Sequence, residues 1–272
     1  MAPDTVGTML SSTHYVWYGR ISATLRSSAG AGVVTAFIMM SDVKDEIDFE
    51  FVGTDLQHVQ SNFYWQGTEN YTNSANLSAA STDTQTHTYT FDWTPDSITW
   101  SVDGAALRTL TRASTYNAST GVFQFPQTPA RVMLSLWPAG LSSNAPGTIA
   151  WAGGDISWAS PYMVNGYYYA QLLDVSVECH DPPAGANLTG SKSYVYNKYT
   201  GLNNTVAVTD KGTVLSSFLA TGEKPSYDPD GTAGAVASGT ATAPAGSGAT
   251  QASTVPGGIS GAGPKCLIVA RT

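Results

Sequence analysis

The chain has 272 residues, 42% hydrophobic and 11% aromatic, enough to bury the core of one sizeable domain plus a tail. Only 12% are charged and the formal net charge is −8, so it offers no basic surface for nucleic acid or an anionic membrane. The longest apolar runs, such as residues 33–40, fall well short of the ~20 residues of a membrane-spanning helix.

From the N-terminus, Met1-Ala-Pro-Asp-Thr5 lacks the basic start and apolar stretch of a signal peptide. Five Asn-x-Ser/Thr sequons point the other way, to a secreted chain: Asn70, Asn76, Asn117, Asn187 and Asn203, all in stretches that read as turns or loops. From about Tyr15 to Val177 the pattern is one of closely spaced strands, with β-branched and aromatic residues alternating between Gly, Asn, Asp and Pro breaks. Tyr89-x-Phe91-x-Trp93 and Ile98-x-Trp100-x-Val102 alternate cleanly around the turn at Thr94-Pro95. Asp103-Gly104 then predicts a two-residue hairpin turn. Residues 131–137 and 170–177 read as further strands, and no window carries a helical stripe. An all-β sandwich over residues 1–180 follows. Residues 181–230 keep a few apolar clusters and read as an extension or linker. Residues 231–272, rich in Gly, Ala, Ser and Thr, cannot bury a core and are expected to be disordered. Cys266 lies in that tail, which gives little reason to pair it with Cys179; alone, Cys179 reads as a small buried residue or one with an upstream partner.

One stretch stands apart. Asp45-Glu46-Ile47-Asp48-Phe49-Glu50-Phe51 places four acids among seven residues. On a strand, Glu46, Asp48 and Glu50 share one face and Ile47, Phe49 and Phe51 share the other. Three readings remain open: a solvated strand face, a calcium site, and a set of acids that perform chemistry. Like charges ~6.7 Å apart along a strand raise one another's pKa. That suits a group that must hold a proton near neutrality, as glycoside cleavage requires of its acid. A retaining glycosidase holds its two carboxyl groups roughly 5–5.5 Å apart. Glu46 and Glu50 would have Cα atoms about 13 Å apart on a flat strand. The catalytic reading therefore requires a bent sheet with a concave face.

Glu46-x-Asp48-x-Glu50 resembles the ExDxE strand of glycoside hydrolase family 16, and its surroundings resemble the fungal cell-wall Crh-like branch. The resemblance spans about residues 8–178 in order. It takes in Tyr18-Gly19-Arg20, Val59-Gln60-Ser61-Asn62-Phe63, His87, Asp92-Trp93, Trp100, Asp103-Gly104 and Gly147-Thr-Ile-Ala-Trp-Ala-Gly-Gly154. It implies a concanavalin A-like β-jelly roll whose concave sheet carries a glycan cleft. It further implies Glu46 as nucleophile, Glu50 as acid/base and Asp48 as the residue that orients and tunes the nucleophile. The implied activity is a retaining glycosidase or transglycosylase on chitin or β-glucan, secreted or in the cell wall. His14 departs from the Arg usual at that position. Relatives also begin with a leader and an opening strand or two before the first matching residues, so the resemblance implies an upstream segment.

Sugars present apolar faces, so aromatic platforms are expected beside the acids. Trp137, Trp93 and Tyr18 are the candidates, with Trp65 at the rim; Trp100, Trp151 and Trp158 read as structural. Gln60, Asn62 and His87 complete the expected substrate-binding set. No phosphate loop, zinc-spaced His/Cys cluster or Gly-x-Ser-x-Gly elbow competes. No cofactor is expected, a structural calcium stays open, and the chain is expected to be a monomer. The rival readings are a lectin-like glycan-binding wall protein without catalysis, and a structural wall glycoprotein.

Overall fold

A computed structural model describes residues 1–197, 201–210, 214–222 and 224–229. The tail expected at 231–272 lies outside the described residues. Strands β1 (Thr8–Ser11), β2 (Gly19–Arg26), β3 (Val33–Ser41), β4 (Glu46–Val52), β5 (His58–Tyr64) and β6 (Ala75–Ser78) open the chain. Then come β7 (His87–Trp93), β8 (Ser97–Val102), β9 (Ala105–Thr111) and a small hairpin of β10 (Tyr116–Asn117) and β11 (Val122–Phe123). After β12 (Ala130–Pro138), helix α1 (Pro146–Trp151) and β13 (Gln171–Cys179), three short strands follow. These are β14 (Asn187–Leu188), β15 (Ser193–Tyr196) and β16 (Val206–Thr209).

Two antiparallel sheets form the sandwich, in the orders β1-β12-β3-β4-β5-β6 and β13-β2-β7-β8-β9. The fold is the expected all-β jelly roll, with α1 as the one element the strand pattern did not show. Asp103 and Gly104 take φ of 50° and 82°, and Val102 pairs with Ala105, so the predicted two-residue turn forms. Between the sheets, alternation sends one apolar residue in two to the core. Phe91 lies 4.6 Å from Phe37 and 4.9 Å from Phe49, ring centre to ring centre. The buried Trp100 indole donates to the Asp48 backbone carbonyl at 3.0 Å, so the sheets are tied together at the acidic strand itself.

The described part of 181–230 forms a three-stranded sheet, β14-β16-β15, and shares the sandwich core. Tyr194 packs edge-on against Trp17 and Tyr196 against Tyr15, and the Tyr196 hydroxyl donates to Pro129 O at 2.7 Å. Cys179 is not a free small apolar residue: it is disulfide-bonded, and the chain's other cysteine, Cys266, lies outside the described residues. Three sequons expected in loops begin in short strands instead, Asn76 in β6, Asn117 in β10 and Asn187 in β14.

Asp45, immediately before β4, is 2% exposed and joins two distant segments. Its carboxylate accepts from Gln66 N, Gln127 N and Thr128 Oγ1, at 3.1, 2.9 and 2.7 Å. Burial raises its pKa to about 6 against those three bonds. Asp45→Ala leaves two buried donors and one part-buried donor without an acceptor and is expected to lose roughly 2–4 kcal/mol of stability. Denaturant unfolding checks this; an unchanged midpoint would show that the two segments do not depend on Asp45.

Candidate active site

Register decides which side chains meet on the outer face of the first sheet. Opposed residues of an antiparallel pair point the same way. Glu46 is opposed by Met40 and Tyr64, Asp48 by Ile38 and Asn62, and Glu50 by Ala36 and Gln60. Across β3, Trp137 opposes Val34, and at the sheet edge Asn76 opposes Gln60. The alternate residues Ile47, Phe49 and Phe51 are buried in the core, so all three acids face outward. That outer face is not open. Val34 and Ala36 are fully buried, Asp48 is 1% exposed and Asn62 5%. Side chains that point away from the core yet stay buried require a recessed face with walls, which is the concave surface the spacing of the acids demanded.

The acids feel that shelter. Burial raises Glu46 to about 7, with the Lys44 ammonium pulling the other way. Burial and then the Glu46 charge raise Glu50 to about 7. Asp48, between them, is raised well above the usual carboxylate range by burial, then by Glu50 and Glu46. The Asn62 backbone N–H offsets this in part, but neither Asp48 oxygen reaches hydrogen-bond geometry with a described protein atom. Asn62 Oδ1, directly across, is also buried without a partner. Buried polar atoms without partners in a recessed face are groups held ready for a ligand or water.

One wall is aromatic. The Trp137 and Trp151 rings stack with centres 6.1 Å apart, and Trp151 Nε1 donates to Gln60 Oε1 at 2.8 Å. Gln60 is the residue opposite Glu50, so this wall stands at the Glu50 end. It is held by backbone contact too close for side chains. A Cβ on Gly140 would meet Gly154 O at 2.5 Å and Gly32 Cα at 2.6 Å. Gly32 N donates to Ala152 O and Gly140 N to Gly32 O.

Of the expected site residues, the structure therefore brings Glu46, Asp48, Glu50, Gln60, Asn62 and Trp137 to one face. Tyr18, His87 and Trp93 lie elsewhere. Tyr18 and Trp93 are buried against each other, ring centres 4.8 Å apart, with their polar atoms donating to Gln127 O and Pro126 O. His87 is in the second sheet, its ring nitrogens bonded to Asp103 Oδ2 and Ala80 O. Trp65, the residue after β5, pairs with Thr68 in the loop that follows. Two residues were missed. Trp151 was read as structural, and Tyr64 was visible only as the next step of the Gln60-x-Asn62 alternation. Tyr64 opposes Glu46, and burial followed by the charges of Asp48, Glu46 and Glu50 raises its phenol, so it stays protonated. Among the described residues no group of three or more His, Cys, Asp or Glu side chains is placed to hold a metal ion. No helix among them is long and apolar enough to cross a membrane.

Fold and face together define a jelly-roll protein with a sheltered row of carboxylates on its concave sheet. The model of the glycosyl hydrolases family 16 matches residues 1–153, and the chain belongs to that family. It is 51% identical to Crh-like protein 2 of Aspergillus fumigatus over 97% of this chain and 58% of that protein. It is 52% identical to Crh-like protein 3 of Botryotinia fuckeliana over 82% of this chain and 50% of that one. The chain thus spans about half the length of the curated relatives it matches. Among solved structures it resembles apo Crh5 transglycosylase, with a TM-score of 0.64 and 33% identity over 76% of this chain and 78% of that one.

The raised acids make a stability prediction. A carboxyl whose pKa rises on folding binds its proton more tightly in the folded chain. Its contribution is complete below the unfolded value near 4.5 and is lost as pH rises through about 7. Glu46→Gln and Glu50→Gln are therefore expected to be more stable than wild type at pH 8, by on the order of 1–3 kcal/mol each. At pH 4 the gain should vanish. Denaturant unfolding at both pH values decides, and a loss at pH 8 would contradict the burial of these acids.

Proposed function

We propose that this chain is a retaining β-glycosidase/transglycosylase that acts on chitin or β-glucan of the fungal cell wall. The observation that carries the reading is the asymmetry within one sheltered row of acids. Lys44 favours a charge on Glu46, whereas the Glu46 charge favours a proton on Glu50. One ionised and one protonated carboxyl is the starting state of double displacement.

In the first step Glu46 attacks the anomeric carbon while Glu50 gives its proton to the leaving oxygen, so the glycosidic bond breaks as the glycosyl-enzyme ester forms. Asp48, held protonated between the two glutamates, adds no third charge to the row. In the second step Glu50, now ionised, takes the proton of an incoming hydroxyl, which attacks the anomeric carbon and releases Glu46. Water as acceptor gives hydrolysis; a sugar hydroxyl gives transfer. The stacked Trp137 and Trp151 and the amides of Gln60 and Asn62 offer a platform and hydrogen bonds for the bound glycan. Transfer is the favoured outcome because Crh5, a structural neighbour, is a transglycosylase and has also been solved in complex with NAG. The same likeness supports a place outside the cell, in the wall. A glycan-binding protein without catalysis is the weaker reading, since binding alone does not call for an outward row of acids whose pKa values are all raised.

Two expectations test the proposal. Glu46→Gln should abolish movement of a fluorescent oligosaccharide acceptor into chitin or β-glucan, by a factor of at least about 10³. Full transfer by this variant would end the assignment. Second, kcat/KM should follow a bell, because the pair must carry one proton. With a donor whose leaving group needs no protonation, Glu50→Gln should keep glycosylation and lose the alkaline limb. Retention of that limb would mean another group is the acid.

A further inference from the structure

A cavity of about 590 Å³, with none of the three acids in its lining, opens beside β9, the edge strand of the second sheet. That volume is within the ~300–1,000 Å³ usual for small-ligand sites. Its walls come from the loop after β5 and from the stretch between β9 and β12. The loop turns sharply at Gln66 and Gly67, with φ of 50° and 69°, and pairs Trp65 with Thr68. The Asp45 carboxylate bonds Gln66 N and the Lys44 carbonyl bonds Gly67 N, so the wall is braced from the start of the acidic strand.

The lining defines the ligand. Trp65 lines it with its ring, while its Nε1–H is buried and has no partner among the described residues. The side chains of Thr68, Ser74 and Gln124 also line the cavity with no hydrogen bond to a described residue, as does the Asn117 amide nitrogen. Tyr116 stands half exposed at the mouth. No acidic residue lines it. Its one cation, Arg108, is engaged by Ser61 O, Ser61 Oγ and Asn73 O and lies 4.6 Å from the Trp100 ring centre. An apolar ligand would leave the amides and hydroxyls unpaired, and an anion would find no free cation. A molecule with apolar faces for the rings and neutral hydroxyls for the amides fits both demands.

We propose that this side cavity is a second glycan-binding site, which takes a neutral oligosaccharide segment independently of the cleft. Two sites on one chain would hold a polymer at high local concentration while the cleft acts on it. The assignment rests on the lining and does not require the catalytic reading.

The test uses full-length Glu46→Gln protein, stripped of N-glycans because the Asn70 and Asn117 sequons border the cavity. It is titrated calorimetrically with chitin and β-1,3-glucan hexasaccharides. Two sites per chain are expected with at least one of these probes. Adding Trp65→Phe with Gln124→Ala should weaken one site about tenfold, and Ser74→Tyr, a substitution at an exposed loop position, should block the same site without touching the core. In the wild-type background both changes should leave kcat on short donors unchanged while reducing retention on insoluble polymer. One site in Glu46→Gln, or a second site that survives both changes, overturns the proposal. Two sites in a protein whose parent lacks turnover would overturn the catalytic reading and leave this one standing; turnover with a single site would do the reverse.

Discussion

The alternation of side chains along β4 fixes the core and the site together. Phe49 and its neighbours Ile47 and Phe51 fill the space between the sheets, and the acids interleaved with them have only the outer face left. A slip of one residue would send three carboxylates into the core, at a penalty larger than the net stability of a domain. Register here is consequently not left to sheet pairing alone. The Trp100 indole holds the Asp48 carbonyl from the opposite sheet, and Asp45 anchors the strand's entry to two loops.

The same strand carries an internal conflict. A sheet that recesses its outer face also strips water from Glu46, Asp48 and Glu50, which opposes their ionisation. Stability alone would replace them with neutral residues. Strain of this kind is characteristic of sites whose groups must change protonation state. Asp45 belongs to the same acidic stretch but has a different fate, because its oxygens are occupied by donors while those of Asp48 have none.

Much of this was legible in the sequence, and the limits are physical. Strand period, the Asp103-Gly104 turn and the outward set of Glu46, Asp48, Glu50, Gln60 and Asn62 depend on local alternation, which a sequence displays directly. Aromatic residues were harder to place, since a large ring suits a core and a sugar platform equally. Trp93 shares a face with Tyr89 and Phe91, and that shared face was the available sign that it belongs inside. His87 falls on the same face by the same alternation, beside Tyr89, but its polar ring suits a cleft as readily as a core edge. Trp151 was lost for another reason. Its helix has six residues and no apolar stripe, and the site it reaches is set by contacts among Gly32, Gly140 and Gly154, far apart in the chain.

The Trp137–Trp151 wall has an optical consequence. Two stacked indoles share one edge of the cleft, and one of them hands its N–H to Gln60, the neighbour of Glu50 across the strand pair. An indole's emission depends on what its N–H is bonded to and on the water near its ring. Any sugar that takes over the Gln60 amide, or covers the stack, alters both. The chain therefore carries a built-in fluorophore at the acid end of its cleft, able to report occupancy without a label.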